Sequence, residues 1–316
     1  MTASVAQKAK TATVFIDGEA GTTGLEIRER LAGIDAITVK SIDPDKRKDK
    51  AARADMMRGV DLAVLCLPDD AAKEAVALAD TLGKDAPKII DASTAHRVAP
   101  GWAYGFAELS PAQADAIRHA TRVANPGCYP TGAIALLRPL VDAGLIPADY
   151  PITINAVSGY SGGGRSMIEA YEAGNAPAFE LYGLGLEHKH VPELQTYTGL
   201  TRRPIFVPSV GNYHKGMLVS VPLHLDTLSG NPSLADIEAV LAEYYKSAEL
   251  VSVVTGSAGK IARLETEALN DTDKLELFVF GKPELKQAVL VARLDNLGKG
   301  AAGAAVQNIK LMLGLA

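Results

Sequence analysis

Only two cysteines occur in the 316 residues, Cys66 and Cys128. That excludes a disulfide framework and a cysteine-based zinc cage. Aromatic residues make up 5% of the chain, with a single tryptophan, too few for the stacking platforms of a single-strand nucleic-acid binder. Positive charge is not in excess either. Lys and Arg total 32 against 37 Asp and Glu, a formal net charge of −5, so the electrostatic footprint of a nucleic-acid partner is missing. No run of about 18 apolar residues is present, and no transmembrane helix is expected. The opening MTASVAQKAKTATVFIDG lacks the apolar core of about 7–15 residues that a secretory signal needs. A cytoplasmic protein without a membrane partner is the expectation. Internal repeats, low-complexity stretches and long charge blocks are absent as well. What is there is ordinary for a globular protein: 47% hydrophobic and 22% charged residues. At about 150 residues per domain the length suggests two domains.

In the first half, short apolar runs alternate with helical patterns. Strands are expected at 13–17 (TVFID), 36–42, 61–67 (DLAVLCL), 88–91 and 122–124. Helices are expected at 24–32, 69–82 and 133–143, each stopped by a following glycine. Apolar strands separated by helices make a parallel sheet covered on both faces. The expected fold class is therefore α/β, with a doubly wound, Rossmann-type parallel sheet. Past residue 150 the strands are longer and fewer helices divide them: 152–157, 216–225, 275–280 and 287–294, the last two joined across a Gly-Lys-Pro turn. A mixed or antiparallel sheet is expected there, in an α+β domain with a helix near 234–246. A closing helix is expected over 300–313.

Four segments could carry chemistry. The first is Gly18-Glu19-Ala20-Gly21-Thr22-Thr23-Gly24, which follows the first strand and opens the first helix. Glycines there allow a tight turn whose N–H groups approach a pyrophosphate at the helix N-terminus. The other reading is a glycine turn with no ligand. Asp43, at the end of the second strand, could hold a ribose 2′-hydroxyl and so select NAD. Lys46, Arg47 and Lys48 follow at once and could neutralise the 2′-phosphate of NADP, or DPDKRKDK could be a solvated loop. All three remain open on the residues alone.

The second segment is Asn125-Pro126-Gly127-Cys128-Tyr129-Pro130-Thr131-Gly132. Cys128 sits before a helix N-terminus, between prolines expected to keep it out of a regular element. A helix N-terminus lowers a thiol pKa, which makes Cys128 a candidate nucleophile for acyl transfer; otherwise it merely packs in a tight turn. Cys66, within an apolar strand, reads as an inert core thiol. The third segment is His188-Lys189-His190-Val191-Pro192-Glu193. A histidine near a reactive cysteine suits general-base work, and no third ligand nearby completes a metal set. The fourth is Ser158-Gly159-Tyr160-Ser161-Gly162-Gly163-Gly164-Arg165, either a flexible loop or an anion nest with Arg165 as a clamp on carboxylate or phosphate.

In this order GEAGTTG, DASTAHR, NPGCYPTGAIALLRPL, SGYSGGGR, HKHVPEL and DNLGKGAAGAAVQNIKLMLG resemble the N-acetyl-gamma-glutamyl-phosphate reductases, in their shorter, type 2 form. The resemblance runs over nearly the whole chain from about Thr13. It implies reduction of N-acetyl-gamma-glutamyl phosphate to N-acetyl-glutamate semialdehyde in arginine biosynthesis, with NADP(H) as cofactor. It implies that Cys128 is the nucleophile and that the His-x-His-x-Pro-Glu pattern supplies the base. Lys189 stands in the middle of that pattern, where arginine or glutamine is common. His190 is the first choice as base and His188 the second. Gly18, Gly21, Thr22, Thr23 and Gly24 are expected at the cofactor, with Asn296 and Gln307 on its nicotinamide side. Ser161, Gly162, Gly163, Arg165 and Glu193 are expected at the substrate, and no metal is expected. The cofactor domain would be 1–127 with 296–316, the catalytic domain 128–295, and the assembly a homo-oligomer, dimer or tetramer. An aspartate-semialdehyde dehydrogenase would share this plan with a different substrate. A non-enzymatic NADP-binding regulator could keep the fold without a reactive thiol.

Overall fold

The computed structural model describes residues 11–257 and 260–315; the leading segment 1–10, read above as free of a secretory signal, lies outside them. The chain runs β1 (Ala12–Asp17), α1 (Thr22–Leu31), β2 (Ile37–Lys40), α2 (Lys50–Arg58), β3 (Leu62–Leu65), α3 (Asp69–Asp80), β4 (Lys88–Asp91), β5 (Ala103–Tyr104), α4 (Gln113–His119) and β6 (Arg122–Ala124). These strands form one sheet in the order β2-β1-β3-β4-β6-β5, with every pairing parallel. Its strands are apolar on both faces: β3 is buried at all four positions. One face buries Val14, Ile16 and Val64 with Ile27 and Leu31 of α1. The other buries Phe15, Ala63 and Leu65 with α2 and α3. Because β2 and β3 leave β1 on opposite sides, the order reverses at the end of β1. That crevice is where open α/β sheets bind ligands.

The chain continues with α5 (Cys128–Asp142), β7 (Thr153–Gly159), α6 (Arg165–Glu172), β8 (Phe179–Leu181), α7 (Val191–Thr198), β9 (Ile205–Gly211), β10 (Met217–His224), α8 (Leu234–Tyr244), β11 (Val251–Val253), β12 (Leu275–Lys282), β13 (Gln287–Leu294) and α9 (Gly303–Leu313). A second, mixed sheet has the order β11-β12-β13-β10-β7-β9-β8. The expected hairpin is present: β12 and β13 pair antiparallel from Leu275↔Leu294 to Lys282↔Gln287. One face of this sheet buries Val219, Val221, Leu277, Val279 and Leu290 against α5, α7 and α8. The last segment then returns to the first sheet, where Ala305 and Ile309 of α9 join its core.

Two local expectations are corrected and one helix is added. Residues 50–58 form α2, where no element was expected, while 43–49 before it stay exposed as a short turn and loop. Asp49 caps it, accepting from Ala51 N at 2.8 Å and Ala52 N at 3.2 Å, and Met57 buries its apolar side. α5 starts at Cys128 itself, not at residue 133. Pro130 falls in its first turn, where a missing N–H costs no helical bond. The closing segment begins as one π-helical turn over Gly298–Ala302, with Ala302 N bonding to Leu297 O at 2.8 Å, and only then becomes α9.

Leu290 is fully buried in β13, opposite Val221 and Val279. Leu290→Ala is expected to cost about 2–5 kcal/mol, the range for a core leucine truncation that leaves a cavity. Urea denaturation checks this: the midpoint should fall with the slope unchanged.

Candidate active site

The glycine turn follows β1 directly. Gly18 has φ +89°, and a Cβ there would run into the Cys66 carbonyl oxygen; one on Gly24 would run into the Gly18 carbonyl. Bare Cα atoms are what let the turn curl onto the strand ends. Gly21 caps α1 without a side-chain acceptor, so the first N–H groups of the helix are open to an anion. A cavity of about 280 Å³ lies on this turn, lined by Gly21, Thr22, Thr23 and Gly24 on one side and Gly164 and Arg165 on the other. The turn therefore fits a dinucleotide pyrophosphate, by its open N–H groups and its missing side chains. Asp43, considered for the ribose, instead caps the short turn Pro44–Lys46, accepting from Asp45 N at 3.0 Å.

A second cavity, of about 400 Å³, lies between the two sheets. Thr22, Thr23, Cys128, His188, His190, Gly162, Gly163 and Asn296 all line it, with Arg97 and Tyr182. Cys128 is the first residue of α5, after Gly127 in extended backbone at φ −76°. The expectation of a thiol lowered by the helix start is not what the surroundings give. Burial pushes the Cys128 thiol up to about 11, against the Tyr129 N–H and the Arg97 charge, which both pull it down. Cys66 lies just past β3 beside the glycine turn, and burial, with the charges of Asp17 and Asp91, pushes it up to about 12.

His190 stands at the start of α7 and is 7% exposed. Burial holds its pKa well below the usual imidazole value, and the positive charge of Arg97 acts the same way. It is therefore neutral at pH 7. Its Nε2 faces the Gly127–Cys128 step, within 2.9 Å of where a Cβ on Gly127 would stand. Its Nδ1 is buried with no partner among the described residues. His188 Nδ1 accepts from His190 N at 3.2 Å, and burial with the Lys189 and Arg97 charges lowers its pKa to about 4.

Glu193, expected at the substrate, lies behind the cavity wall. Its carboxylate accepts from Arg97 Nη1 at 2.5 Å, Tyr104 Oη at 2.8 Å and Gly127 N at 3.1 Å. It holds the start of α5 rather than a ligand. Ser161 and Asn296 bind each other: Asn296 Nδ2 donates to Ser161 Oγ at 2.9 Å, and Asn296 Oδ1 accepts from Gly216 N at 2.8 Å. Gln307 does not line the cavity. It joins a buried cluster in which Lys299 Nζ donates to Glu108 at 2.7 and 2.8 Å and to Gln307 Oε1 at 2.7 Å. That cluster anchors the π-helical turn, where a Cβ on Gly300 would stand 2.9 Å from Cys128 Cβ.

Known proteins align with nearly the whole chain. A family model described as semialdehyde dehydrogenase, NAD binding domain, matches residues 9–117, and one described as semialdehyde dehydrogenase, dimerisation domain, matches residues 128–296. N-acetyl-gamma-glutamyl-phosphate reductases of Brucella ovis and Brucella abortus are 57% identical over 307 residues, 95% of this chain and 98% of theirs. The chain belongs to the N-acetyl-gamma-glutamyl-phosphate reductase family. Among solved structures, aspartate semialdehyde dehydrogenase II of Vibrio cholerae, complexed with ASA, superposes with a TM-score of 0.71 at 17% identity. It covers 96% of this chain and 99% of that one. The Candida albicans aspartate semialdehyde dehydrogenase with NADP gives 0.67 at 13%, over 96% and 99%. At those identities the likeness is one of fold.

The reductase-family cavity also holds residues that the sequence did not single out by role. Arg97 ends the DASTAHR run. Its Nε donates to Asn125 O at 3.0 Å and its guanidinium reaches the cavity wall. The signal available was an arginine just past a parallel strand, where site residues gather. Tyr182 carried no local signal; its hydroxyl donates to Tyr129 Oη at 3.1 Å. With its thiol raised to about 11, Cys128 should react slowly with iodoacetamide at pH 7. The rate should climb about tenfold per pH unit, since only thiolate reacts. Alkylation followed by intact mass checks this, and a plateau near neutrality would contradict it.

Proposed function

We propose that the chain reduces N-acetyl-gamma-glutamyl phosphate to N-acetyl-glutamate semialdehyde with NADPH, a step of arginine biosynthesis, through a thioester on Cys128. The observation that carries this reading is one cavity holding a half-buried thiol at a helix start, a neutral buried imidazole beside it and the open end of α1 on its rim. Thiol and imidazole are both uncharged at rest. The proton leaves Cys128 for His190 as Sγ bonds to the acyl carbon, and the bond from that carbon to the phosphate oxygen breaks. N–H groups at the start of α5 face the developing oxyanion, and Arg97 balances the leaving phosphate. Gly18, Gly21, Thr22, Thr23, Gly24 and Asn296 would hold NADPH, which would supply a hydride to the thioester carbon. The resulting thiohemiacetal oxyanion then collapses, the carbon–sulfur bond breaks, and the His190 proton returns to Sγ. Glu193 positions Gly127 and Arg97. Gly162 and Gly163 face the substrate, while Arg165 lies on the cofactor turn.

The division into 1–127 with 296–316 and 128–295 is part of the same reading, supported by the packing of α9 on α1 and α4. So is a homo-oligomer in the cytoplasm. The outer face of the second sheet, away from α5, carries Phe179 and Leu181, more than half exposed, around a groove of about 550 Å³. A second copy would cover it, and the matched family description names a dimerisation domain. Among the described residues no helix is long and apolar enough to cross a membrane.

Cys128→Ser should abolish turnover and leave NADP⁺ affinity unchanged, because the thiol acts on the acyl group and the glycine turn on the cofactor. His190→Asn should lower kcat by about 10²–10⁴-fold with little change in KM, as for a group acting in the transition state. Steady-state kinetics with a binding titration measures both; retained turnover in Cys128→Ser would end the nucleophile assignment. The reverse reaction tests the acyl phosphate itself. Without inorganic phosphate, oxidation of the semialdehyde by NADP⁺ should give a burst of one NADPH per site and then stall at the thioester. Phosphate should restore steady turnover. Stopped-flow absorbance at matched ionic strength reads this, and equal steady rates in both buffers would overturn the acyl-phosphate chemistry.

A further inference from the structure

A cluster at the end of β2 takes no part in the chemistry above. Ser41 is the first residue past β2, and its Oγ donates to Glu19 Oε2 at 2.8 Å. Arg28 of α1 donates from Nη1 to Glu19 Oε2 at 2.6 Å and to Ser41 Oγ at 2.5 Å. Glu19 belongs to the glycine turn, so the turn, α1 and the end of β2 meet at one point. In a parallel sheet of this plan the adenosine ribose lies against the end of β2. A free carboxylate there would accept from the two ribose hydroxyls of NAD. Asp43 accepts from Asp45 N through Oδ1 within its own turn, and Glu19 holds Arg28 and Ser41. The groups at this point that suit an anion are a guanidinium and a hydroxyl.

We propose that Arg28 and Ser41 bind the 2′-phosphate of NADP(H), and that Glu19 is the internal anion that holds them until the phosphate arrives. The proposal rests on the cofactor reading above. A guanidinium fork suits a phosphate better than a ribose hydroxyl. Arg28 is 47% exposed against 15% for Glu19, so it can turn outward to a phosphate without burying a charge. Glu19 makes the exchange selective: the ribose of NAD carries no charge with which to draw Arg28 away. The basic run Lys46, Arg47 and Lys48, considered for this role from the sequence, is exposed at the end of the turn that Asp43 caps and is not needed.

Isothermal titration of the full chain with NADP⁺, NAD⁺ and 2′,5′-ADP tests this. Arg28→Ala should weaken NADP⁺ and 2′,5′-ADP by about 10–100-fold, the span of a charge-assisted hydrogen bond, with NAD⁺ within about twofold. Arg28→Lys should restore part of the loss. Glu19→Gln should tighten NADP⁺ and leave NAD⁺ unchanged. The triple variant Lys46→Ala, Arg47→Ala, Lys48→Ala should keep the NADP⁺ to NAD⁺ ratio. If Arg28→Ala weakens both nucleotides equally or neither, or if the triple variant takes the loss, the assignment is overturned while the cofactor reading stands. If the unaltered chain binds neither nucleotide, both fall together.

Discussion

Much of the site hangs on the carboxylate of Glu193. It lies in the first turn of α7, is 1% exposed, and receives Arg97 from the loop after β4, Tyr104 from β5 and the N–H of Gly127 before α5. One buried anion thus fixes the guanidinium, the start of α5 at Cys128 and, through its own helix, His190. Such a group holds its place only while its donors are complete. Removing a partner from a buried pair leaves an uncompensated charge, at a cost of about 3–5 kcal/mol. The lattice of donors is therefore a geometric device more than a source of stability.

A second buried ion pair does the same from the other end of the chain. Lys299 is 1% exposed, is held by Glu108 and lies 5.5 Å from the Phe106 ring centre. It pins the π-helical turn that brings Gly300 against Cys128 before the chain rejoins the first sheet as α9. Asn296, just ahead of that turn, bonds both the glycine loop and the start of β10. The cavity walls are thus cross-linked between the two sheets by buried polar groups. The electrostatics follow from the same enclosure. A low-dielectric pocket disfavours both thiolate and imidazolium, so the pair rests neutral.

By itself the sequence determined many of the elements and the two sheet types, because these depend on local periodicity. Continuous apolar runs made the parallel strands legible, and the longer runs 275–280 and 287–294, adjacent across a Gly-Lys-Pro turn, made the hairpin legible. Glycine spacing marked the cofactor turn, and the setting of Cys128 before a helix marked it apart from Cys66. α2 escaped notice because its charged residues hide a thin apolar side that only Ala54 and Met57 fill. The tertiary structure alone decided the partners of each polar group. Glu193 and Gln307 stand among plausible ligand-binding residues in the sequence, yet their places are set by residues up to 199 positions away, as for Gln307 and Glu108. The Cys128 pKa was decided the same way. A helix start is a local feature and reads from the sequence, whereas burial, the larger influence here, comes from elements that meet only on folding.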